Sequence, residues 1–69
     1  MRYELNAYEL LKAMGERGYS AHGLSLTAGL SGRCVQNYLQ GARQPSSDAL
    51  MRIARVLDVR PESLMLRRD

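Results

Sequence analysis

The segment Gly29-Leu30-Ser31 constrains this chain more than any other part of it. It is a three-residue link between two short stretches of helical spacing, each supplied with its own start and stop. Ahead of it, Ser20 is placed to cap a helix over residues 21–28, with Leu24 and Ala28 four apart on one face. Gly29 ends that helix in the left-handed conformation that only glycine adopts without penalty. Beyond the link, Ser31 is placed to cap a helix over residues 32–40, with Val35 and Tyr38 turned inward and Gly41 as its stop. So short a connection makes the two helices cross steeply, at roughly 90–120°. The crossing asks for a small residue where the helices touch (Ser25), glycine at the turn, and apolar side chains at positions 24, 28, 30, 35 and 38. The chain has Leu24, Ala28, Leu30, Val35 and Tyr38 there.

The flanks supply what this pair needs to pack against. Asn6, with Glu9 three residues later and Leu5 and Leu10 on either side, is a capping box with a hydrophobic staple, and predicts a helix over residues 7–16. Leu10, Ala13 and Met14 form its apolar stripe. Ser46 caps a helix over residues 47–57, with Asp48 in the favoured first turn and Leu50, Ile53, Ala54 and Leu57 at helical spacing. Pro61 opens a short fifth helix over residues 61–66, followed by an exposed tail. No run of strand periodicity stands out. The expectation is an all-α, compact five-helix domain spanning residues 1–69.

Composition narrows the function classes. A chain of 69 residues has a marginal core, and one cysteine (Cys34) and one histidine (His22) provide neither a disulfide nor a zinc site. No cofactor or metal is expected. There are no paired carboxylates, no phosphate-binding loop and no nucleophile with its base, so an enzyme is not expected either. Without a long apolar run or a signal peptide, the expected location is cytoplasmic. The net charge is +3, and its distribution is more informative than its size. No acidic residue occurs from Arg17 to Ser47, a stretch that carries Arg17, Arg33 and Arg43. A surface that meets a polyanion avoids carboxylates, because each offsets a cation's gain from counterion release.

Two short helices joined by a three-residue glycine turn form helix-turn-helix geometry, in which the second helix enters the major groove of DNA and the first braces it. The chain resembles the lambda-type repressor and Cro family over about residues 10–64. The resemblance runs through Gly18-Tyr19-Ser20, Leu24, Gly29-Leu30-Ser31, Val35, Gly41, Arg43, Pro45-Ser46, Leu50, Ile53-Ala54, Leu57, Val59 and Leu64. It implies a lambda-repressor-like fold and operator binding, usually as a two-fold dimer. Where the family often has a phosphate-holding glutamine, this chain has Ala21 followed by His22, which leaves backbone N–H groups, Ser20 or His22 to hold that phosphate.

With Val35 and Tyr38 inward, Gly32, Arg33, Gln36 and Asn37 face the groove as base readers. Arginine pairs with guanine, and asparagine and glutamine with adenine. The expected phosphate contacts are Ser20, His22, Ser31, Gln40, Arg43 and Arg17, with Arg43 the principal clamp. The expected function is sequence-specific binding of a double-stranded operator by a transcriptional regulator, a Cro-like repressor of phage or bacterial origin. The alternatives are an antitoxin-type regulator that binds both DNA and a toxin protein, and a protein-interaction module. One short reading helix selects a site too frequent to regulate a gene. A homodimer is therefore expected, at least on DNA, with Leu64, Met65 and Leu66 at its interface and Leu39 beside them; the alternative is that Leu64 caps the monomer's own core and dimers form only on DNA.

Overall fold

A computed structural model describes residues 2–68. Strand β1 (Arg2–Leu5) leads into helices α1 (Ala7–Arg17), α2 (Ala21–Thr27), α3 (Cys34–Leu39) and α4 (Ser47–Leu57). A single 3₁₀ turn (Pro61–Leu64) and strand β2 (Met65–Arg68) complete it. The side chains of Leu10, Leu24, Val35, Ile53, Leu57 and Leu64 meet in one hydrophobic cluster and are essentially inaccessible to water. Every element except β2 contributes to it, as does Ala28 at the end of α2.

Three caps act as their residue types require. The Asn6 side chain accepts the Glu9 N–H at 3.3 Å, Ser20 Oγ accepts that of Gly23 at 3.0 Å, and Ser46 Oγ accepts that of Ala49 at 3.1 Å. The staple residues Leu5 and Leu10 are both buried. Gly18, Gly29 and Gly41 take positive φ of 74°, 76° and 76°, the last two closing the helices on either side of the turn.

The fifth helix is a correction. Residues 61–66 form only the four-residue 3₁₀ turn before the chain straightens into β2, which runs antiparallel to β1 with Leu5 opposite Met65 and Tyr3 opposite Arg67. The fold is thus mostly helical, with four α-helices and a two-stranded sheet that joins the chain's two ends. The physical reason is hydrogen bonding. The Asn6 N–H, left free at the head of α1, donates to the Leu64 carbonyl at 2.8 Å, and this bond aligns the two strands. The Leu5 N–H, turned away from β2, donates to Gln44 Oε1 at 2.9 Å, so the loop after α3 covers that edge of the sheet.

The pairing also moves Leu64, which is 1% exposed and belongs to the chain's own core rather than to a dimer interface. Met65 is half-buried, and Leu66 is exposed. Among the described residues no helix is long and apolar enough to cross a membrane.

Leu64→Ala should therefore destabilise the chain by about 2–5 kcal/mol in urea unfolding, most of what a domain this small possesses. Leu66→Ser should change the stability of the isolated chain by less than about 0.5 kcal/mol.

Candidate nucleic-acid interface

The turn between α2 and α3 is fixed by a buried hydroxyl. Ser25 is wholly buried, and its Oγ donates to the Ala21 carbonyl one turn back at 2.9 Å. The same oxygen accepts the Val35 N–H at 3.0 Å. An α-helix begins with N–H groups that have no intrahelical acceptor. One of α3's is satisfied by a side chain of α2, which fixes both the distance and the rotation between the helices. A small residue at the crossing is legible in the sequence; this cap across the turn is not.

Ser31 does not cap α3 as expected. Its carbonyl accepts the Cys34 N–H at 3.0 Å, and its hydroxyl bonds the Cys34 thiol at 3.0 Å instead of a backbone N–H. Helix α3 consequently starts at Cys34, and Gly32 and Arg33 lie in the turn before it. The Ser31 hydroxyl bond holds the Cys34 thiol below its usual pKa, helped by the Ser31 backbone, Tyr38 and the charge of Arg43 against the opposing effect of burial. Burial, followed by the neighbouring Cys34, raises the Tyr38 phenol. Cys34, Tyr38 and Arg43 therefore form one neighbourhood along α3 and the loop behind it.

Of the four expected base readers, Arg33 and Gln36 are exposed, while Gly32 and Asn37 are half-buried. Ser20, His22, Ser31, Gln40 and Arg43 are all exposed. His22 and the turn are brought together, since the His22 ring Nδ1 lies 3.2 Å from the Gly32 carbonyl. Arg17 is drawn elsewhere, into an ion pair with Asp58 at 3.4 Å. Asp58 ends α4 in the left-handed region with φ 55°, a position at which the sequence carries no glycine signal. Arg52 pairs with Asp48 one turn back at 2.9 Å on the solvated face of α4.

This geometry has known counterparts. A helix-turn-helix family model matches residues 8–64. The chain belongs to the Cro/C1-type helix-turn-helix family. It is similar to the restriction-modification controller protein C.AhdI from Aeromonas hydrophila, whose crystal structure superposes with a TM-score of 0.77 at 26% identity, covering 84% of this chain and 88% of that one. No curated protein matches the sequence significantly. Members of this helix-turn-helix family are DNA-binding transcriptional regulators, and this chain is a DNA-binding transcriptional regulator. Among the described residues no three His, Cys, Asp or Glu side chains group to hold a metal.

Replacing Ser25 by alanine strands the buried Val35 N–H, and should lower stability by about 1–3 kcal/mol in thermal unfolding. Ser25→Thr, which keeps the hydroxyl, should still satisfy that N–H, so its loss should come from the added methyl alone.

Proposed function

We propose that this helix-turn-helix protein is a Cro-like repressor of phage or bacterial origin, which reads a palindromic double-stranded operator by laying α3 in the major groove. The observation that carries the reading is the exposure of Arg33 and Gln36 on a helix entry held from behind by a buried serine, within a stretch free of carboxylates. In this role Arg33 pairs with guanine O6 and N7, and Gln36 and the half-buried Asn37 contact adjacent bases. Ser20, His22, Ser31, Gln40 and Arg43 hold the phosphates on either side. Arg17 has the weakest claim among them, because its guanidinium is already held by Asp58.

The functional unit in this reading is a homodimer. Two-fold symmetry places two recognition helices about 34 Å apart, one turn of DNA. The exposed Leu66 and half-buried Met65 are the apolar residues at the C-terminal strand that a second copy would cover. The likeness to a restriction-modification controller supports a second reading, in which the operator lies at the promoter of a restriction-modification gene rather than a phage one. The position of the selected operator in the genome separates the two.

Selection of bound sequences from a random duplex library, repeated with two variants, tests the proposal. Arg33→Ala should lose about 1–3 kcal/mol on the preferred site and relax preference at one position of each half-site. Arg43→Ala should weaken all sequences alike and reduce the salt slope by about 1. Equal, sequence-independent losses from both would remove Arg33 from base reading.

Sedimentation of the wild-type chain with the selected duplex should give two chains per site, and the substitution Leu66→Asp should reduce this to one. A single chain on a site with no selected second half would contradict the dimer.

A further inference from the structure

His22 and Gly32 fit each other in a way that neither residue type explains alone. The His22 ring lies edge-on against Gly32, with Nδ1 3.2 Å from its carbonyl oxygen. A carbonyl only accepts, so Nδ1 carries a proton and donates it. A Cβ at position 32 would fall 2.7 Å from Cε1 and 2.8 Å from Nδ1 of that ring, closer than side-chain carbons approach other atoms. Unlike Gly29, Gly32 has no positive φ that demands glycine. The absence of a side chain at position 32 leaves the space that the imidazole fills, and a Cβ there would oblige the ring to shift. Nε2, the far nitrogen, would lie 3.8 Å from that Cβ, makes no hydrogen bond among the described residues, and belongs to an exposed residue.

We infer that His22 is a positioning residue that bridges the α2–α3 turn to a DNA backbone phosphate, its Nδ1–H holding the Gly32 carbonyl while its Nε2–H donates to the phosphate. The inference rests on the DNA-binding reading above and adds to it a proton. With Nδ1 protonated to hold Gly32, a neutral ring presents a lone pair at Nε2, which repels a phosphate oxygen. Only the imidazolium donates from both nitrogens. Phosphate contact through this ring therefore takes up one proton, and an imidazole is the side chain whose charge changes between about pH 5 and 8.

Helix α2 carries no other titratable side chain, the turn contributes Arg33, α3 contributes Cys34 and Tyr38, the segment before α2 contributes Tyr19, and α4, packed against α2, contributes Asp48, Arg52 and Arg55. The one carboxylate among them, Asp48, is already paired with Arg52 at 2.9 Å, so the anion that stabilises the imidazolium is the phosphate.

The test compares the wild type with His22→Gln and His22→Ala on one duplex, the sequence selected above, at constant ionic strength. Wild-type affinity should fall as pH rises, by up to about tenfold per unit where the imidazole titrates, since one proton is linked to binding. His22→Gln keeps an N–H donor that does not titrate, and should bind with a flatter pH profile. His22→Ala should bind more weakly at low pH and also lose the slope. Cys34 is common to all three proteins, so its titration cancels in the comparison. Identical slopes in the wild type and His22→Gln would overturn the inference.

The contact itself is read without DNA. Gly32→Ala should lower the melting temperature in the wild type and much less in His22→Ala, where the ring it would strike is gone. Equal shifts in the two backgrounds would overturn the bridge even if DNA binding stands. Failure of every protein to bind any duplex would instead remove the DNA reading, leaving this melting comparison to decide the His22–Gly32 contact.

Discussion

The arrangement of this protein depends on one hydroxyl group. Ser25 Oγ donates to its own helix and accepts from the next, so a single buried atom satisfies the backbone of α3 and fixes where that helix begins. Helix α3 is only six residues long, far below the length at which a helix persists in water by itself. Its order comes from Val35 and Tyr38 in the core and from this bond. An apolar residue at position 25 would pack but leave the Val35 N–H without an acceptor, and a larger polar one would push the helices apart. The glycine turn sets the direction of the chain, and the serine sets its register.

Charge is organised around the same unit. The carboxylates lie outside the central stretch, and two of them pair with arginines, Asp48 with Arg52 and Asp58 with Arg17. Both pairs are exposed and contribute little to stability. Their effect is on the field: Arg33 and Arg43 face solvent in a region with no acid on α2, the turn or α3. Arg43 lies close enough to Cys34 and Tyr38 to influence both, which places a cation near α3.

The helices were legible because each carried several agreeing signals. For α1 these were Asn6, Glu9 and the Leu5–Leu10 staple; for α4 they were Ser46, Asp48 and a stripe of four apolar residues. The strands were not. Residues 2–5 and 65–68 are too short to show a period, and each becomes a strand only because the other lies beside it, held by the Asn6 to Leu64 bond. Pro61 correctly announced a helical turn, but beyond Leu64 the chain pairs with β1 instead of continuing the turn. At the candidate interface, the exposure of Arg33 and Gln36 followed from the inward Val35 and Tyr38, whereas Gly32 and Asn37 are half-buried. What sequence spacing did not carry was side-chain reach: Ser25 to Val35, His22 to Gly32 and Arg17 to Asp58 each join residues ten or more positions apart. Asp58 in the left-handed region was also hidden, since an aspartate there gives none of the signal of a glycine.

The dependence of α3 on Ser25 is open to a direct measurement, hydrogen exchange at the Val35 amide of the free protein. If the hydroxyl holds this N–H as described, Val35 exchanges only by global unfolding, as slowly as the amides of Leu24 and Ile53 in the core. Exchange at the rate of the exposed turn residues Ser31 and Arg33 would contradict the account. It would mean that α3 opens independently of α2 and that its reading face is not preset by the turn.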